Sequence, residues 1–273
     1  MDGIGSSLVG DYESCMDLFS EFKLPDIYET RRQFTVRPTN PINQNAPIRV
    51  LIGHSENRAF IPMNLIRGFI KFKIVEDDNT PFGIDMSPED TGKVSIVNDI
   101  AHAIIESTNT KLMNVSISQH SRLNPWKAYL QRSHSYSPDV KGTNLTSEFY
   151  AEDDISTGIG VNEQCQGFRV RAEAIKESRV CTVAFTPQVD FFSSPKWLAP
   201  GHVLEIEFER AQPATYILSN HDKKKFKAVI IDFQLFVHHI MAKSAIMDGI
   251  FKKLRNAPVI YPITRIVMST HTM

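Results

Sequence analysis

The chain has 273 residues, 42% of them hydrophobic and 22% charged, enough to bury one large core or two small ones. Thirty Lys and Arg against thirty-one Asp and Glu leave a formal charge of -1, which excludes a global basic field for nucleic acid. No apolar run approaches the roughly 18 residues of a membrane-crossing helix, so no membrane partner is expected. The start Met1-Asp2-Gly3-Ile4-Gly5 lacks the basic and apolar stretches of a secretory signal and predicts an intracellular, non-secreted protein. Cys15, Cys165 and Cys181 are odd in number and lack Cys-x-x-Cys spacing, which points to neither a disulfide framework nor a cysteine zinc site.

In chain order, an arm to about Arg32 precedes strands at Gln33 to Arg37 and Ile48 to Ile52. A stronger strand follows at Phe69 to Val75, with Ile70, Phe72 and Ile74 on one face. Between Ser95 and Ile105 the spacing of Ile96, Val97, Ile100, Ala101 and Ile104 predicts a helix. Leu112 to Ile117 returns to strand, and Asn124-Pro125 opens a short helix with Trp126, Tyr129 and Leu130 on one face. Asp139 to Gly160 reads as a long loop with a helical turn near Leu145 to Tyr150.

Alternation then predicts strands at Phe168 to Ile175, Arg179 to Phe185 and His202 to Arg210, the last with Leu204, Ile206 and Phe208 opposite Glu205, Glu207 and Glu209. Phe226 to Val237 suits a strand covered on both sides. A helix over Ala242 to Arg255 and a strand over Ile260 to Ser269 close the chain. The fold class expected is all-β: an antiparallel jelly-roll sandwich with short helical insertions, followed by a C-terminal helix plus strand.

Few residues suggest chemistry. Glu205, Glu207 and Glu209 project from one strand face roughly 7 Å apart, within the range of paired glycosidase carboxylates, and equally suit the solvated face of an amphipathic strand. They form the candidate carbohydrate site. Lys223, Lys224 and Lys225 could face packaged nucleic acid or simply make a turn, and nucleic acid is at most a weak partner. His238 and His239 point to opposite faces of a strand and do not share a metal. There is no Gly-x-Ser-x-Gly and no phosphate-cradling glycine loop, so no catalytic residue, metal or cofactor is predicted. The aromatics Phe191, Phe192 and Trp197 lie in a predicted loop, where they either anchor a subunit contact or plug one end of the sandwich.

Four segments occur in an order that resembles one family. They are Asn124-Pro125-Trp126-Lys127-Ala128-Tyr129-Leu130; Asp190-Phe191-Phe192 through Trp197-Leu198 to Gly201-His202-Val203-Leu204-Glu205-Ile206; Phe233-Gln234-Leu235-Phe236-Val237; and Tyr261-Pro262-Ile263-Thr264-Arg265-Ile266. From about Met16 to Val267 the chain resembles the double jelly-roll, hexon-like major capsid protein of Polinton (Maverick) transposons and adintoviruses. That resemblance implies a structural, non-enzymatic protein whose upright rolls form a homotrimer that tiles an icosahedral shell beside a penton protein. It also implies a virion location; Phe191, Phe192, Trp197, Trp126 and Tyr129 are the candidate interface residues. The expected domains are an arm at 1–32, a jelly roll at 33–240, and at 241–273 a linker helix with the first strand of a missing second roll. The chain is thus expected to be the first half of such a subunit, from a truncated or domesticated copy. The alternative is a carbohydrate-binding or carbohydrate-active jelly roll.

Overall fold

A computed structural model describes residues 28–43, 46–53, 59–83, 86–118, 122–137, 144–153, 164–221 and 224–268. The strands are β1 (Tyr28–Val36), β2 (Ile48–Ile52), β3 (Ala59–Phe60), β4 (Arg67–Glu76), β5 (Val94–Ile96), β6 (Ile105–Leu112), β7 (Val115–Ser116), β8 (Cys181–Phe185), β9 (Leu204–Arg210), β10 (Ile217–Ser219) and β11 (Phe226–Ala242). Between and after them come α1 (Pro88–Thr91), α2 (Ile100–Ala103), α3 (Asn124–Ser135), α4 (Gln166–Ile175), α5 (Pro213–Tyr216) and α6 (Ser244–Leu254).

One sheet runs β1-β11-β4-β8, with β3 also on β11, and the other runs β2-β9-β6-β7; every pairing is antiparallel. Set aside β3, β5 and β10, and the remaining strands alternate between the sheets in chain order except at the β6–β7 hairpin. The first strand lies beside the last, and the second beside the next to last. This wrapping of a folded ribbon is a jelly roll. β5 and β10 pair separately at the side.

Alternation explains why these segments are strands. Ile48, Val50 and Ile52 of β2 and Leu204, Ile206 and Phe208 of β9 face Ile70, Phe72 and Ile74 of β4 and Phe233, Leu235 and Val237 of β11, all buried in one core. Phe208 meets Phe233 across the sandwich, ring centroids 5.1 Å apart. Each such side chain contributes about 1.5–3 kcal/mol on burial. From Phe233 to Val237, β11 is buried on this face only: Gln234 and Phe236 on its other face are half-buried, and Phe236 is met edge-on by Phe69 at 5.0 Å. A strand covered on both sides was expected, but the outer face carries just this thin aromatic layer.

Three further expectations fail locally. Ser95 to Ile105 is not one helix: β5 ends at Ile96, Asp99 takes the left-handed conformation (φ 59°), a single turn α2 follows, and β6 begins at Ile105. The apolar residues there are buried on all sides, which mimics helical spacing. Phe168 to Ile175 is helix α4, not strand, since Phe168, Arg171, Ala172 and Ile175 are the buried positions. Residues 260–268 form no strand, and instead strap the end of the sandwich: the Tyr261 hydroxyl accepts from Ala199 N–H at 2.9 Å, Lys196 Nζ donates to Ile260 O at 2.8 Å, and Arg265 Nη2 donates to Ile117 O at 2.7 Å. β1 also begins at Tyr28, ahead of the boundary expected at 32. Within Leu112 to Ile117, Met113 and Asn114 (φ 49° and 65°) make the two-residue turn of the β6–β7 hairpin.

Candidate interaction surfaces

The helix that follows Asn124-Pro125 forms as expected, with proline in its first turn, where a missing N–H costs nothing. Asn124 does not cap it; its side-chain amide donates to Ile105 O at 3.1 Å and ties the helix start to β6. Ala128 and Arg132 face inward, the latter held by Asp99 and Glu148. The opposite face carries Trp126, Tyr129 and Leu130, exposed by 59%, 58% and 42%. Trp126 and Tyr129 also line a cavity of about 250 Å³ with Val97, Pro125 and Leu218, and Arg171 lies at its wall. Three large apolar side chains on one helix face beside a cavity make the clearest candidate contact surface.

The loop aromatics divide. Phe191 and Phe192, in a single 3-10 turn, are 2% and 6% exposed and belong to the core. Phe191 packs edge-on against Tyr261 at 5.3 Å, so the C-terminal strap seals this end. Both rings are committed within the chain and cannot anchor a subunit contact as expected. Trp197 is half-buried, 6.5 Å from the Phe60 ring, and lines a second apolar groove of about 340 Å³ with Ile240, Ala242, Ile246 and Ile250.

Of the lysine cluster, Lys223 lies outside the described residues. Lys224 Nζ is 2.7 Å from Glu76, and Lys227 bonds the backbone oxygen of Asp77. Lys225 is exposed. The described lysines flank an acidic turn that offsets much of their charge.

The three glutamates do line up on the outer face of β9, yet each has its own neighbour. Glu207 pairs with Arg49 at 3.0 Å, Glu205 lies 3.9 Å from Lys111, and Glu209 accepts from Ser107 and Asn109. The register sets Arg49, Lys111 and Ser107 directly across from Glu207, Glu205 and Glu209, the arrangement of a solvated sheet face. His239 is buried against Phe34 at 4.4 Å while His238 lies on the other face, where burial, then Arg31 and Arg67, lowers its pKa. Among the described residues, no three His, Cys, Asp or Glu side chains converge as a metal set, and no helix is long and apolar enough to cross a membrane.

Two buried polar residues and one half-buried arginine escape a sequence reading. Arg171, 2% exposed, donates from Nε to Ile96 O (2.7 Å), from Nη1 to Asn98 Oδ1 and Ala151 O, and from Nη2 to both Asp153 oxygens, joining α4 to β5 and the 151–153 segment. Helical spacing from Phe168 would have placed it inward. His102 is 1% exposed, both ring nitrogens lack partners, and its ring stands edge-on to Phe185 at 5.5 Å. Arg210, beside a polar cleft of about 650 Å³, has Nε and Nη2 buried without partners. The cleft also holds Glu106, Arg122, Glu209 and Lys227, a mixture that selects neither sign of ligand.

No protein-family model matches the sequence and no curated protein matches it. Solved structures do. A chain of the 3.5 Å cryo-EM structure of the Sputnik virophage is similar with a TM-score of 0.52 at 9% identity, over 89% of this chain and 53% of that one. The Faustovirus major capsid protein matches at 0.48 and 10% identity (90% of this chain, 60% of that), and the mavirus major capsid protein at 0.42 and 10% (90% and 54%). The last two scores are too low to add to the assignment. The chain spans about half the length of the Sputnik chain it matches. Strand order and this likeness together define the fold: an antiparallel jelly-roll sandwich.

Proposed function

We propose that this chain is a structural capsid protein, one jelly roll of a hexon-like major capsid subunit that works by self-assembly and without catalysis. The observation that carries the reading is the strand order, with first beside last and second beside next to last in two facing sheets. Fold alone is analogy, and the ordered motifs similar to those of Polinton and adintovirus capsid proteins give it direction. In this reading residues 33–240 are the roll, 1–32 an arm, and 241–273 a linker toward a second roll. Three subunits form a trimer that tiles a shell in the virion, with a penton protein at the vertices, and Trp126 and Tyr129 supply apolar contact area between subunits. Multiple weak contacts then add through multivalency.

Sedimentation velocity and electron microscopy of the full chain, from micromolar concentration upward, test the proposal. Trimers or larger regular particles are expected, weakened in the double variant Trp126→Ala/Tyr129→Ala. A monomer at every concentration, together with glycan binding lost in Glu205→Gln and Glu207→Gln, would instead establish the carbohydrate reading.

A further inference from the structure

The groove between the Pro195–Trp197 loop and α6 presents an apolar surface that the described chain leaves open. Its walls are Phe60, Trp197, Ile240, Ala242, Ile246 and Ile250. Met247, 1% exposed, fastens α6 to the body, and this turns Ile246, 36% exposed, outward with Ile250 one turn further on. We propose that this groove is the seat of the chain's own N-terminal segment, residues 16–24.

Strand register places the segment there. Tyr28, the first residue of β1, pairs with Ala242, a wall of the groove, and Phe60, another wall, pairs with Ile240. Tyr28 therefore stands at the groove's edge. Leu24 precedes Tyr28 by four residues, a reach of about 14 Å at full extension, against about 16 Å for the length of α6.

The chemistry also matches. Met16, Leu18, Phe19, Phe22 and Leu24 offer apolar side chains to an apolar groove, interleaved with the acids Asp17 and Glu21 and preceded by Asp11 and Glu13. Lys23 is the one base among them. Exposed Lys196 lines the groove, and Lys243, beside the wall residue Ala242, and Lys253, three residues after Ile250, stand exposed on the same side of α6. A segment tethered by four residues is present at an effective concentration in the millimolar range, which favours it over a free partner. The inference does not depend on the capsid reading.

The test uses the full chain with a photoreactive benzoylphenylalanine in place of Phe22, prepared unlabelled and nitrogen-15 labelled, mixed and irradiated, with cross-links mapped by mass spectrometry. Cross-links to residues 195–197 and 246–250 are expected, overwhelmingly between peptides of the same isotope. Reversing two rim charges in Lys243→Glu/Lys253→Glu lowers their yield roughly three- to tenfold at low salt, as loss of two surface ion pairs predicts. Ile250→Asp lowers it as well, with a circular dichroism melt to show that the variant is folded. Mixed-isotope cross-links would assign the groove to a second copy of the chain and overturn the proposal. So would cross-links outside the groove, or a yield unchanged in the charge-reversed variant.

Discussion

Replacing His102 by leucine removes a titration from the middle of the core. The imidazole is 1% exposed, neither nitrogen has a partner, and desolvation, then the nearby Arg132 charge, pushes its pKa down to about 3. An unfolded histidine titrates near 6.5. Between those values the unfolded chain binds a proton that the folded chain refuses, so stability from this group is complete above about pH 6.5 and is lost progressively as pH falls toward 3. The loss is about 1.4 kcal/mol per pH unit, or about 2 kcal/mol at pH 5. The assay is urea unfolding followed by tryptophan fluorescence at pH 7.5, 6 and 5, for the wild type and His102→Leu. Any packing defect of leucine shifts the variant equally at every pH, so the difference between the two pH profiles isolates the imidazole. The wild type should lose about 2 kcal/mol more than the variant between pH 7.5 and 5. Parallel profiles, or a His102 resonance titrating near 6.5 in the folded protein, would refute the reasoning.

Gly68→Ala should destabilise by about 1–3 kcal/mol in the same urea assay, because a Cβ on β4 would stand 2.3 Å from the Phe185 ring inside a full core. Arg171→Met leaves Ile96 O without its side-chain donor, and Ala151 O and the Asp153 carboxylate with Asn98 in its place; a loss of about 2–4 kcal/mol and faster amide exchange across Gln166–Ile175 are expected. The double variant Trp126→Ala/Tyr129→Ala should change monomer stability by under about 1 kcal/mol while weakening self-association, measured as a shifted sedimentation profile.

The sequence shows most clearly those parts where one face is wet and the other dry. β2, β4 and β9 each alternate, and the buried set is the apolar set. α4 was hidden because Phe168-Arg169-Val170-Arg171-Ala172-Glu173-Ala174-Ile175 satisfies both periods, and only the knowledge that Arg171 is buried decides between them. The stretch from Val94 to Ile105 fails for the opposite reason: it is buried almost throughout, with polar Ser95, Asp99 and His102 among its buried residues, so spacing within it carries no direction. On the surfaces, Trp126 and Tyr129 come out on the exposed side of their helix, whereas Phe191 and Phe192 turn inward, with Tyr261, a tail residue far along the chain, covering Phe191. The buried arginines and His102 take their meaning from partners or neighbours on other elements, which no local pattern records.

The pairing of β1 with β11 has a consequence for how the molecule is made. Tyr28 waits for Ala242, some two hundred residues further along, and β4 likewise finds its central neighbour only when β11 arrives. During synthesis, the larger sheet therefore lacks its middle strand until nearly all the described chain has left the ribosome. Until then β1 and β4 expose open hydrogen-bonding edges. Such long-range closure makes folding slow and rewards a crowded, chaperone-rich setting, and it also makes the last step decisive: insertion of one 17-residue strand completes the sheet in a single event.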